Sequence, residues 1–114
     1  MKLLITLLVT LGISMGSYGQ FTSGNELLGY CKSEEEGAGG VACISYLMGV
    51  VDTHDNISSE GVMDKYFCGP EGVNGGQLSK IVVKYMEENP EQLHYSAAYL
   101  TLSALIDAFA PCEK

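Results

Sequence analysis

Past residue 20 the apolar positions recur at helical spacing in four stretches, and none alternates as a strand would. The first covers residues 25–32, with Leu27, Leu28 and Cys31 on one side and Ser23 or Asn25 available as N-cap. The second covers 41–53, where Ala42, Cys43, Ile44, Tyr46, Leu47, Met48, Val50 and Val51 surround most of the circumference. Only Ser45, Gly49 and Asp52 form a small or polar seam, so this helix is expected to be buried on several sides. Gly49 costs about 1 kcal/mol against alanine inside a helix, which suggests close packing there. The third opens on Asn74-Gly75-Gly76-Gln77, a capping-box pattern, and carries a stripe of Leu78, Ile81, Val82, Tyr85 and Met86. The fourth is expected over 90–109, with Asn89 as N-cap, Pro90 at N1, and Leu93, Ala97, Leu100, Ala104 and Ala108 in line.

Between these stretches lie two connections of different character. Glu34, Glu35 and Glu36 run into Gly37-Ala38-Gly39-Gly40, a solvated loop. Residues 54–76 form a long connection, with a short helical turn expected around 61–66 and a run Phe67-Cys68-Gly69-Pro70 near its end. The predicted fold is all-α: a small four-helix domain of two antiparallel hairpins, stapled by two disulfides. In the first hairpin the end of one helix meets the start of the next, bringing Cys31 to Cys43. In the second, the end of the last helix lies beside the start of the third, bringing Cys112 to Cys68. Pairing 31 with 112 and 43 with 68 stays open, because the long connection could fold back.

The N-terminus sets the compartment. Met1-Lys2 precedes an apolar run over 3–13, then Ser14, Gly16, Ser17 and Gly19. This pattern predicts a signal peptide over 1–19, cleaved before Gln20, and a mature domain over 20–114 in the periplasm. The apolar run is shorter than the roughly 20 residues a membrane span needs. Four cysteines in a small exported chain read as disulfides, and no Cys-x-x-Cys pair suggests zinc. The mature chain sets five lysines against fourteen carboxylates, a net charge of −9 with no arginine. Nucleic acid and anionic membrane are poor partners for such a surface. A protein with basic character is a better one.

Chemistry is sparse. Paired cysteines supply no thiolate nucleophile. Asp52-Thr53-His54-Asp55 could hold a metal or move a proton, but at an expected helix end these residues read as capping and solvated. His94 and the group Glu87, Glu88 and Glu91 read as surface. Gly69 to Gly76 lacks the Lys-Ser/Thr of a phosphate loop, and Asn56-Ile57-Ser58 is a sequon of low specificity. No catalytic residue, cofactor or metal is expected. The chain reads as a binding protein, with Glu34, Glu35, Glu36, Asp52, His54, Asp55 and Asn56 as candidate contacts on loops and helix ends.

A family pattern then becomes visible. It runs through Gly24-Asn25-Glu26-Leu27-Leu28, Cys31, and Cys43-Ile44-Ser45-Tyr46-Leu47-Met48-Gly49-Val50. It continues in Phe67-Cys68-Gly69-Pro70-Glu71-Gly72-Val73, Gln77-Leu78, Val82-Val83-Lys84-Tyr85 and Asn89-Pro90-Glu91. It ends in His94, Ala97-Ala98, Ala104-Leu105 and Ala108-Phe109-Ala110-Pro111-Cys112. The sequence resembles the Rap/Tai immunity proteins of type VI secretion systems over nearly the whole mature chain. Ala110 departs from the pattern, which tends to run Phe-Pro-Cys, and disturbs the exit to Cys112. The resemblance implies small helical periplasmic proteins, often homodimers, that bind and block peptidoglycan amidase effectors. The matching positions are scaffold, so the resemblance assigns no contact residue. The competing readings are a small acid-stress chaperone of the periplasm and an envelope structural protein reusing the domain.

Overall fold

The computed structural model describes residues 21–33 and 38–112. The expected signal peptide and Glu34, Glu35 and Glu36 lie outside the described residues. Four helices follow one another: α1 (Gly24–Lys32), α2 (Ala38–Ser59), α3 (Gly75–Glu88) and α4 (Ala97–Phe109), with a 3-10 turn at Pro90–Gln92 between the last two. Each helix packs on the other three. Their shared core is Leu27 from α1, Cys43 and Leu47 from α2, Leu78, Val82 and Met86 from α3, and Ala97, Leu100, Ala104 and Leu105 from α4. Phe67 enters it from the long connection. The disulfides are Cys31–Cys43 and Cys68–Cys112, as the hairpin argument expects.

The helix starts follow side-chain chemistry. Ser23 Oγ accepts the Glu26 N–H at 3.2 Å at the head of α1. Asn74 and Gln77 form the full capping box of α3, each side chain accepting the other's backbone N–H at 2.9 Å.

Helix α2 is longer than the expected 41–53, at both ends. Its hydroxyls do not interrupt it because they bond back along it: Thr53 to the Gly49 carbonyl at 2.7 Å, Ser58 to that of His54 at 2.6 Å. The true stop is Gly61, at φ +75°. There the Gly61 N–H reaches the Ser58 carbonyl and the Val62 N–H reaches that of Ile57, a Schellman closure that a side chain at Gly61 would strain. The residues after Gly61 carry no helical turn, so the expected turn around 61–66 is absent.

Helix α4 is shorter than the expected 90–109, starting at Ala97 rather than Pro90. Asn89 makes no N-cap bond; its Nδ2 donates back to the Tyr85 carbonyl at 2.8 Å and closes α3 instead. The cap of α4 is Ser96, whose Oγ accepts the Tyr99 N–H at 3.2 Å. The reason lies far away in sequence. The Gly24 and Asn25 N–H groups at the head of α1 bond to the carbonyls of Tyr95 and Leu93, both at 2.9 Å. Thr22 in turn accepts the Ala97 N–H at 2.9 Å. A helix through Leu93 and Tyr95 would have spent those carbonyls internally. Gly24 sits so close to this turn that a Cβ would stand 2.8 Å from the Leu93 carbonyl oxygen and collide with the Leu100 side chain.

The extra residue before Cys112 is absorbed cleanly. Ala110 extends the helical bonding by donating its N–H to the Ile106 carbonyl at 2.9 Å, and Cys112 still reaches Cys68.

Candidate partner-binding site

The His54 side chain holds the connection 60–74 from below. His54, on α2, is only 2 % exposed. Its Nε2 accepts the Tyr66 backbone N–H at 3.2 Å, so that nitrogen carries no proton. The hydrogen therefore sits on Nδ1, which donates to Asp55 Oδ1 at 3.0 Å. Phe67 stacks on the imidazole with centroids 4.2 Å apart and planes 12° from parallel. The next residue, Cys68, is tied to Cys112 after α4. Both ring nitrogens are thus engaged, Nε2 by the connection and Nδ1 by Asp55 on the same helix. The expectation of a solvated His54 at a helix end is corrected: α2 continues past it and the connection covers it.

The outer side of the same segment is open. Val62 is 75 % exposed and Tyr66 51 %, with Asp64, Lys65 and Glu71 also on the surface. On α2, Asp52, Asp55 and Asn56 are exposed. The structure therefore exposes Asp52, Asp55 and Asn56 on α2 and buries His54 against Tyr66 and Phe67 of the connection. Val62 and Tyr66 escaped the sequence reading. Their only signal was apolar character inside a segment otherwise read as loop.

A cleft opens under the connection, about 170 Å³ in volume, walled by Val51, Phe67, Val73, Leu105 and Phe109, with Asp55 also lining it.

Exposed apolar groups also occur on α2 and at the corner before α4. Val41, Ser45, Met48 and Gly49 share one exposed stripe on the N-terminal half of α2, with Val41 66 % exposed. Among the described residues a Cβ at Gly49 would meet nothing within 4 Å, so the close packing expected at this glycine is not found there. The second surface is an aromatic corner where Tyr95 meets His94 edge-on at 4.4 Å and Tyr99 at 5.7 Å. His94 is exposed, as expected, although it belongs to the turn before α4 and not to the helix.

Among the titratable groups Tyr46, on α2, stands out. Burial raises its phenol above the usual 10.0, and a hydrogen bond from the Ala98 backbone at the head of α4 opposes the rise.

The family model of the Rap1a immunity proteins matches residues 23–112, which include all four helices and all four cysteines. No curated protein and no solved structure matches the chain.

Proposed function

The chain belongs to the Rap1a immunity protein family, and we propose on that premise that it is a non-catalytic inhibitor of a peptidoglycan amidase effector delivered by type VI secretion. It is exported through its N-terminal signal and acts in the periplasm, where both disulfides are stable. The observation that carries this reading is the family match over 23–112. The clasped connection supports it: a segment fixed by His54 and Cys68 presents Val62 and Tyr66 to a partner with little ordering left to do. Its acidic surroundings, Asp52, Asp55 and Asp64, favour encounter with a basic surface.

The protein acts as a homodimer, and the α2 stripe is the face proposed for the second copy. Exposed Val41 and Met48 flank Ser45 and Gly49, and small residues let two helices approach closely. Light scattering at micromolar concentration should give twice the monomer mass, and Gly49→Arg should reduce it to one.

The test of function is protection. Where a neighbouring gene encodes an amidase-like effector, cells exporting that effector should lyse alone and survive when this chain is co-exported. Lysis despite export, together with no binding of the purified pair at neutral pH, would refute the immunity reading. Capture of many unrelated proteins only at acidic pH would favour the chaperone.

A further inference from the structure

The cleft beneath the connection has the size and chemistry of a receptor for one side chain. At about 170 Å³ it is well below the roughly 300 Å³ at which pockets for cofactors or drug-sized ligands begin. It is close to the ~150 Å³ that an apolar core cavity needs to take a benzene-sized group. Its walls are apolar: Val51 from α2, Phe67 and Val73 from the connection, Leu105 and Phe109 from α4. Asp55 is the only charged residue among the described ones lining it, and its side chain is half exposed. It therefore stands where the cleft meets solvent. Its other commitment is the His54 Nδ1–H at 3.0 Å, which fixes the carboxylate's direction without neutralising it, because His54 is in the neutral tautomer.

We propose that this cleft binds a basic side chain, arginine or lysine, projecting from the protein partner. The alkyl stem lies on the part-buried Val51, Val73 and Phe109, and the cationic head meets the Asp55 carboxylate at the mouth. Long basic side chains are built for such a site, since their stems bury while their heads stay hydrated. An arginine filling a pocket is also among the anchors that dominate interface energetics. The acidic balance of the chain agrees with the sign of the guest. His54 is a positioning residue: it aims Asp55 and, through Tyr66 and Phe67, keeps the roof of the cleft in place.

This inference deepens the immunity reading by naming the partner's anchoring group, and its test is separable from that reading. n-Butylguanidinium is titrated into the full mature protein while the methyl signals of Val51 and Val73 are followed by NMR. Saturable shifts in the millimolar range are expected. Asp55→Asn, which keeps the shape and the bond to His54, should weaken them at least fivefold, and n-butanol at equal concentration should not reproduce them. Absence of saturable shifts, equal binding by Asp55→Asn, or equal binding of n-butanol would each overturn the proposal. In the protection assay, Asp55→Asn should require at least fivefold more protein. If it protects as well as the parent, the cleft proposal fails while the immunity reading stands. If the parent itself does not protect, the immunity reading fails while the titration still decides the chemistry of the cleft.

Discussion

The two connections that flank α3 solve the same problem in opposite ways. The 89–96 turn is held by backbone. Its carbonyls at Leu93 and Tyr95 receive α1, the Ala97 N–H reaches Thr22, and Gly24 leaves no space for a side chain. The 60–74 connection is held by side chains at a few points, the His54 ring and the Cys68–Cys112 bridge, and much of its outer surface faces water. A backbone-held turn tolerates little change in shape but much change in side chains. A connection pinned at a few points, with Phe67 in the core and glycines at the positive-φ positions 61 and 72, can still change its outward residues without losing the fold. The second arrangement suits a surface that must follow a changing partner.

Removing the pins should separate the two regions. The largest effect is expected from Cys68→Ser with Cys112→Ser, which frees a loop of sequence separation 44. Chain entropy alone puts this loss at about 4 kcal/mol. The Cys31–Cys43 pair, with separation 12, should cost about 3 kcal/mol by the same reasoning. Urea unfolding of both double variants checks the order; an equal or reversed order would mean the connection is not held mainly through Cys68.

Next comes His54→Ala. It removes a buried ring, a stacking partner and the acceptor of the Tyr66 N–H, for about 2–3 kcal/mol in all. Hydrogen exchange should accelerate at Tyr66 while the Ala97 amide in the other connection stays protected. Ser96→Ala should cost about 1 kcal/mol through loss of the α4 cap, with the opposite exchange pattern. Gly49→Ala belongs to neither region. With open space around its Cβ it should stabilise the monomer by about 0.5–1 kcal/mol in dilute thermal unfolding. Smallest is the effect of Tyr46. Its phenol holds its proton more tightly in the fold than in the unfolded chain, so its contribution to stability should be level below pH 10.0 and decline as pH rises beyond it. The ultraviolet phenolate band and the unfolding midpoint, followed together, would show it; Tyr46→Phe should remove the decline.

What could be read from sequence divides along similar lines. Core stripes, the Asn74–Gln77 box and both disulfides were legible because each depends on local spacing or on a simple hairpin. The start of α4 was not, because Pro90 supplies a sound local signal that loses to α1 drawing on the Leu93 and Tyr95 carbonyls. The end of α2 was not, because Asp52, Thr53 and Asn56 look like terminators until their neighbours' hydroxyls are seen bonding along the helix. His54 illustrates the same limit at the candidate site. Between two aspartates and a threonine it reads as solvated, and only the path of the connection covers it with Phe67. The outward placement of Val62 and Tyr66 follows from that path as well.

The most direct test of the account is a hydrogen-exchange footprint of the protein bound to the amidase effector proposed as its partner. Protection should appear over 60–74 and at Asp52 to Asn56 on α2, and the 89–96 turn should be unchanged. Protection confined to the 89–96 turn and its aromatic corner, with 60–74 exchanging as in the free protein, would contradict the assignment of the clasped connection as the partner-binding face.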